Sequence, residues 1–365
     1  MGKRVAMLRS KSFGGVEPRL DREARALSEA GYEVHAILWD RDLAYPDEEA
    51  RDGYVIHRVG YPAPYNRPAL AWKLPRWWAR AFRILRSLRP EIVHAADFDT
   101  VPPAMRAQRS WGAKFVFDIW DFYTDMITSA VAGALRRSVA RREADAVRAA
   151  DLVILPDFAR RPRLPAEPRR LIEVMNVPEE REVPQEPHDR FTLFYGGNIA
   201  NDRGLLELVR ACEATGAMLV VAGQGPDETE LLPLIESSPN ANYIGVVSHD
   251  DVLRYTARAD AIPALYDPSV ANNRLASPNK LFEAMMLSKP VIVSDGTAVA
   301  DLVRAEGMGL AVPYGDVGAL RESLETLMLS SDACQEFGRK GRALYESRYR
   351  WAIMRQRLLA AYAEL

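Results

Sequence analysis

Phe191-Thr192-Leu193-Phe194-Tyr195-Gly196-Gly197-Asn198 and, further on, Met218-Leu219-Val220-Val221-Ala222-Gly223-Gln224-Gly225-Pro226 bracket the stretch that decides the fold. Phe191–Tyr195 and Met218–Ala222 are short, β-branched and aromatic runs that read as buried strands, each ending at glycine. Between them, Gly204–Ala214 reads as a helix. A strand, a helix and a strand make the repeating unit of a parallel sheet. The alternation continues in both directions. Toward the C-terminus, strands are expected at Tyr243–Ile244, Ala261–Ala264, Val291–Ser294 and Leu310–Val312, with helices such as Asp250–Ala257 between them. Toward the N-terminus they are expected at Val5–Leu8, Val34–Leu38, Val55–Arg58, Ile92–His94, Lys114–Asp118 and Leu152–Leu155, with a helix over Arg19–Ala30 that Gly31 ends. Residues 175–190 break the pattern with Pro178, Pro184, Pro187 and many charges. The reading is α/β: two doubly wound parallel-sheet domains, 1–178 and 191–345, a linker at 179–190 and a closing helix at 346–365. Ligands of such sheets bind beyond the carboxyl ends of the strands, so the cleft between two such domains is the expected site.

Composition narrows the function. The chain has 365 residues, 48% of them hydrophobic, which is enough for two cores. A net charge of −2 argues against a nucleic-acid partner for the chain as a whole. Cys212 and Cys334 are far apart and form no metal-spaced pair, which fits a reducing compartment. The apolar run Val5–Leu8 is too short for a signal peptide core, and no run reaches the roughly 18 apolar residues of a membrane span. A cytoplasmic location is expected.

Three segments carry chemistry. Gly196-Gly197-Asn198, followed by Arg203-Gly204-Leu205, ends a strand in glycines and opens a helix. Glycine lets a ligand approach the backbone, the helix start offers N–H donors, and Arg203 can grip a phosphate. A plain strand–turn–helix with a surface arginine reads equally well. Ala222-Gly223-Gln224-Gly225-Pro226 is a second glycine turn; it lacks the third glycine of the dinucleotide fingerprint, and a close-packed turn also explains it. The third segment is the most specific: Ser277-Pro278-Asn279-Lys280-Leu281-Phe282-Glu283-Ala284-Met285, leading to Lys289-Pro290-Val291-Ile292. Pro278 suits a first helical turn, so the N–H groups of Asn279, Lys280 and Leu281 would face an anion beside the Lys280 charge. Glu283, three residues after Lys280, could accept hydrogen bonds from a ribose diol. The same pair also reads as a solvent-facing Lys–Glu couple on an amphipathic helix.

The second half, about 190–345, resembles the retaining GT-B glycosyltransferases of glycosyltransferase family 4. The resemblance rests on the Gly-Gly-x5-Arg-Gly turn, Val-Ala-Gly-x-Gly-Pro, Tyr243-x-Gly-x-Val247 and Pro278-x-Lys280-Leu281-Phe282-Glu283-Ala284-Met285. It implies two Rossmann-like domains facing across a cleft and a closing helix that crosses back to the first. It also implies that Arg203 and Lys280 neutralise a donor diphosphate, Glu283 holds the ribose and the backbone near Val246 meets the base. Gly197, Asn198, Gly223, Pro278, Asn279 and Leu281 complete that donor site. In the first half, Phe13-Gly14-Gly15 matches the glycine loop that faces the donor and acceptor sugars, which adds Gly15 to the donor-binding residues. Phe117-Asp118-Ile119-Trp120-Asp121 matches a stretch that reads Asp-x-His-Glu in the family, which brings in Asp121 as a catalytic candidate beside Arg203 and Lys280. Two positions depart. Trp120 replaces the histidine, and Leu275 stands where the first of two glutamates is expected; Asp121 or Asp267 is the substitute carboxylate.

The resemblance implies transfer of a sugar from a UDP- or GDP-sugar to a glycan, glycolipid or lipid-linked acceptor, with retention, without a metal and without a cofactor beyond the donor. A sugar-nucleotide epimerase or hydrolase on the same fold, or a silent nucleotide-sugar-binding protein, are the alternatives. Asp97-Phe98-Asp99 looks like a metal-binding Asp-x-Asp but reads as structural or acceptor-side, and His94 as a strand-end residue. Finally, 66–89 holds Arg67, Lys73, Arg76, Arg80, Arg83, Arg86 and Arg89 with no acid, interleaved with Trp72, Trp77, Trp78 and Phe82. It reads either as a helix packing its aromatics inward or as a contact with an anionic membrane surface, which Arg136, Arg137, Arg141 and Arg142 would extend.

Overall fold

This computed structural model describes residues 2–10, 15–63, 70–126, 133–184 and 189–365. Phe13, Gly14, Asn66, Arg67 and Pro187 therefore lie outside the described residues. The contacts divide the chain into two compact units, Met1–Met175 with Met354–Leu365, and Asn176–Ile353.

The first unit runs β1 (Arg4–Arg9), α1 (Pro18–Glu29), β2 (Glu33–Asp40), β3 (Glu48–Arg51), β4 (Tyr54–Gly60), α2 (Leu70–Leu88), β5 (Ile92–Ala96), α3 (Val101–Trp111), β6 (Lys114–Asp118), α4 (Tyr123–Met126), α5 (Gly133–Ala149), β7 (Leu152–Leu155) and β8 (Leu171–Glu173). Its eight strands lie in the order β3-β4-β2-β1-β5-β6-β7-β8, all parallel except β3, which pairs antiparallel with β4. Without the edge strand β3 this is the doubly wound order that reverses between β1 and β5. Alternate residues of each strand serve opposite faces. Leu8, Trp39, Val93, Phe115 and Val153 join Trp77, Ala81, Phe82 and Leu85 of α2 in one core layer. Trp77 stacks on Trp39 with ring centroids 5.9 Å apart; burying such a ring contributes upward of about 1.5–3 kcal/mol. The inward-packing reading of 70–89 thus holds for Trp77, Phe82 and Trp78, whose indole N–H donates to the Asp99 carbonyl at 2.6 Å. Trp72 instead is 88% exposed.

The second unit runs β9 (Thr192–Gly196), α6 (Leu205–Thr215), β10 (Met218–Ala222), α7 (Glu228–Glu236), β11 (Ala241–Tyr243), α8 (His249–Arg258), β12 (Ile262–Ala264), α9 (Ala271–Arg274), α10 (Asn279–Met286), β13 (Val291–Ser294), α11 (Ala298–Glu306), β14 (Gly309–Val312), α12 (Val317–Leu329) and α13 (Ser331–Leu344). A π-helical turn, Tyr345–Tyr349, leads to α14 (Trp351–Ala363), most of which belongs to the first unit. Strands β11-β10-β9 and β12-β13-β14 are joined by the parallel bridge Leu193–Ala261. The order reverses between β9 and β12, and that junction positions the site. The described part of the expected linker is held against this unit. Arg342 donates to Glu180 at 2.5 Å, Arg181 pairs with Asp250 at 2.5 Å, and the Tyr345 hydroxyl donates to the Pro178 carbonyl at 2.9 Å.

His94 is not a strand-end residue. It sits within β5, fully buried, with Nδ1 2.6 Å from the Tyr362 hydroxyl of α14. On that face Arg19 lies 2.7 Å from Asp118 and 3.1 Å from Glu23. Burial raises the Glu23 carboxyl to about 6, against the pull of Arg19.

Candidate functional site

Beyond the carboxyl ends of β9 and β10 the chain turns twice on glycine, and the turns stack backbone on backbone. Gly197 N–H donates to the Ala222 carbonyl and Gly223 N–H to the Gly245 carbonyl, both at 2.9 Å. Gly223 adopts φ +129°, and a Cβ there would stand 1.8 Å from the Gly197 carbonyl oxygen. Only glycine fits. The turns floor a cavity of about 350 Å³, large enough for part of a small ligand. Its wall includes Gly197, Gly223, Val246, Val247, His249, Tyr266, Asn279, Lys280 and Glu283.

Pro278 is the N-cap of α10 rather than part of its first turn, with extended φ −75° and ψ 138°. The Leu281 N–H donates to the Pro278 carbonyl at 3.0 Å, so it closes the turn instead of facing a ligand. Asn279 and Lys280, the first two helical residues, line the cavity. From Lys280 to Met286 every residue of α10 is buried. The solvent-facing reading of the Lys280–Glu283 pair is thereby overturned, because the helix packs on all sides and one end opens on the cavity.

Lys280 is 8% exposed, and its ammonium stands 3.5 Å from the centroid of the Tyr195 ring. Burial pushes its pKa down to about 7; nearby Arg203 acts in the same direction and Glu283 opposes both. The site thus holds a desolvated cation that an anion would stabilise. Glu283, 5% exposed, has its Oε1 3.8 Å from His249 Nδ1. His249 opens α8 after the N-cap Ser248, whose hydroxyl accepts from the Asp251 N–H at 3.1 Å. Sequence reasoning missed His249, Tyr195 and Tyr266; the nearest signals are the Tyr243-x-Gly-x-Val247 run just before His249, the Gly196-Gly197 turn just after Tyr195, and Asp267 just after Tyr266. Val246 sits on the rim, 65% exposed.

Arg203 lies against Tyr266, 4.6 Å from its ring centroid, rather than among the lining residues. It pairs with Asp202 at 2.6 Å and donates to Asn273 at 3.3 Å. The Asn198 carbonyl accepts from the Tyr195 hydroxyl at 2.6 Å. Gly15 and Asp121 belong to the first unit. Gly15 has φ +114°. Asp121 donates its N–H to Asp97 at 3.2 Å and has its carboxylate 3.5 Å from Arg160. Asp97 pairs with Arg9 and also accepts the Trp120 N–H at 3.1 Å, and Asp99 accepts from Ser10. These carboxylates tie loops together. Trp120 has a physical reason to be aromatic: the Arg9 guanidinium lies 3.9 Å from its ring centroid. Among the described residues, Glu23, His94 and Asp118 are spaced for a metal ion, with ligand atoms within 4.8 Å of one another. Arg19 already supplies positive charge to both carboxylates.

Residues 176–344 match the family described as Glycosyl transferases group 1, and residues 14–182 match the Glycosyl transferase 4-like domain. The chain belongs to the GT4-like glycosyltransferases. Its GT-B fold is shared by solved structures over nearly the whole length. Sucrose-phosphate synthase from Thermosynechococcus elongatus has a TM-score of 0.84 at 16% identity, covering 99% of this chain and 98% of that one. Anabaena Alr3699/HepE in complex with UDP-glucose has a TM-score of 0.76 at 14% identity, with both chains fully covered. In sequence, the capsular polysaccharide biosynthesis glycosyltransferase CapM of Staphylococcus aureus is 25% identical over 181 residues, 48% of this chain. That match spans 46% of CapM, so less than half of this curated relative is aligned. Within the GT4-like frame, Leu275 caps the end of α9, and the Asp267 carboxylate accepts the Ser269 N–H at 2.8 Å.

Proposed function

We propose that the chain transfers a sugar from a UDP- or GDP-sugar to a glycan, glycolipid or lipid-linked acceptor, with retention and without a metal ion. The observation that carries this reading is the desolvated Lys280 ammonium beside the start of α10, with Glu283 one turn further along the same cavity. The donor diphosphate would lie against Lys280 and the N–H groups of Asn279 and Lys280, and Glu283 would accept from the ribose hydroxyls. His249 would hold Glu283 in place, and the backbone at Val246 and Val247 would meet the base. Arg203 would add longer-range positive potential through the Tyr266 side. As the sugar–phosphate bond breaks, negative charge grows on the leaving diphosphate, and these donors stand ready for it. The binding of UDP-glucose by Alr3699/HepE, which shares the fold, supports a nucleotide-sugar donor. The capsular role of CapM supports a glycan product. From the first unit the proposal keeps Gly15 as a donor-binding residue and Asp121 as a catalytic carboxylate.

A pH dependence follows from Lys280. With its pKa near 7 in the empty site, a bound diphosphate raises that pKa and binding above pH 7 takes up a proton. Affinity should therefore fall as pH rises from 7 to 9, by up to about tenfold over the whole range. Calorimetry in buffers of different ionisation enthalpy measures the proton uptake, and Lys280→Met should flatten both trends.

Turnover with donor sugars tests the activity itself. Nucleoside diphosphate release that requires an added acceptor supports transfer. Equal release without any acceptor would replace the proposal with hydrolysis, and interconversion of the donor sugar with epimerisation.

A further inference from the structure

Helices α2 and α5 lie on one face of the first unit's sheet, packed on either side of α3. Each returns from the carboxyl end of one parallel strand to the start of the next, so both N-termini lie at the carboxyl edge of the sheet. Both helices outrun their strands. Nineteen residues of α2 and seventeen of α5 span roughly 28 and 25 Å, whereas the five residues of β5 and four of β7 span roughly 17 and 13 Å. Only residues 89–91 and 150–151 join the two helices to the strands that follow, so the excess length lies at their first turns, which project past the sheet.

What projects there is unusual in two independent ways. Trp72 is 88% exposed and Leu135 is 59% exposed, both large apolar side chains on separate helices at one edge. Along these two stretches the charge has one sign. Residues 70–89 hold six cations and 133–142 hold four, with no acid in either stretch, although the whole chain is net negative. Arg76, Arg83, Arg136 and Arg137 are exposed, and Trp72, Arg76, Ala79 and Arg83 recur at helical spacing along one outward stripe of α2. Lys73 and Arg76 cluster around the Tyr61 ring at 5.3 and 4.5 Å, which concentrates the charge at the projecting end.

We propose that this edge seats on an anionic lipid surface, Trp72 and Leu135 entering the headgroup layer while the neighbouring arginines meet lipid phosphates. Two apolar points on separate helices suit a plane better than a groove. Cations spread along two neighbouring helices of a net-negative chain, with no acid among them, set its orientation on an anionic bilayer. Leu135 offers no π-face on which a nucleic-acid base could stack. Gly15 and Asp121 follow β1 and β6 at the same carboxyl edge, so a lipid-linked acceptor held in such a membrane would arrive beside them. The membrane contact itself does not depend on the donor chemistry.

Co-sedimentation of the full chain with phosphatidylcholine vesicles, with and without phosphatidylglycerol, tests this. Binding is expected only to the anionic vesicles, and it should weaken steeply with added salt. Arg76→Glu combined with Arg136→Glu and Arg137→Glu should lower vesicle affinity roughly a hundredfold, given about fivefold per cation. Trp72→Ala with Leu135→Ala should lower it about tenfold while keeping the salt dependence. All of these positions are exposed, so unchanged circular dichroism and melting temperature should accompany the losses. Equal binding to neutral vesicles, unaltered binding by both variants, or tighter binding to a single-stranded RNA than to the anionic vesicles would overturn the proposal.

Discussion

Lys280→Ala is expected to lower donor turnover by roughly 10²–10³-fold while weakening equilibrium donor binding much less. The ammonium is desolvated and set against the Tyr195 ring, so its field acts in a water-poor site where developing charge is stabilised most. The ground-state diphosphate keeps contacts with the start of α10, whereas the charge that grows in the transition state loses its counter-ion. Lys280→Arg should not restore the rate, because a planar guanidinium must fit where a methyl on Gly197 would already stand 3.4 Å from the ammonium nitrogen. Comparing kcat with the dissociation constant from calorimetry checks the split. A raised dissociation constant with kcat unchanged would make Lys280 a binding residue only.

The second large effect concerns the first unit. Arg19→Met should destabilise that unit by about 3–5 kcal/mol, because it leaves the buried carboxylates of Asp118 and Glu23 without the guanidinium that neutralises them. At roughly 2–4 °C per kcal/mol for a unit of this size, melting should fall by about 6–20 °C. The sign with pH is fixed by Glu23. Its folded pKa is raised to about 6, so its protonated form is favoured by folding, and that contribution fades as pH rises through 6. In the variant the carboxylates lose their cation and bind protons still more readily. The deficit should accordingly shrink on going from pH 8 to pH 5, and thermal melts at the two pH values measure it.

How far the sequence discloses this molecule depends on which interactions are local. Leu152–Leu155 and Val291–Ser294 are legible as strands because both faces are buried and the apolar run is unbroken. Strand β3 is not, because an edge strand is polar; Glu48-Glu49-Ala50-Arg51 alternates between exposed and half-buried. Its signal was the Asp52-Gly53 turn that follows, with φ 27° and 88°. The Lys280–Glu283 spacing is legible because a helix fixes it. The depth of the pair is not, since Tyr195 and His249 come from distant elements. Likewise, the Leu281 N–H and the Arg203 guanidinium look available in sequence, yet one closes a helical turn and the other is held by Asp202 and Asn273. Trp120 reads as a departure from a histidine motif until Arg9 is found over its ring.

The most direct test is thermal stabilisation by UDP, GDP, ADP and NAD, with EDTA present, of the wild type and of Glu283→Ala. A ligand at 100 times its dissociation constant adds roughly 2.7 kcal/mol, or about 5–11 °C for a unit of this size. The account predicts such a rise for UDP or GDP and its loss in Glu283→Ala, while Glu283→Gln retains part of it and both unliganded variants still melt cooperatively. No rise with either nucleotide, or a rise that survives Glu283→Ala undiminished, would contradict the assignment of this cavity to a nucleotide-sugar donor.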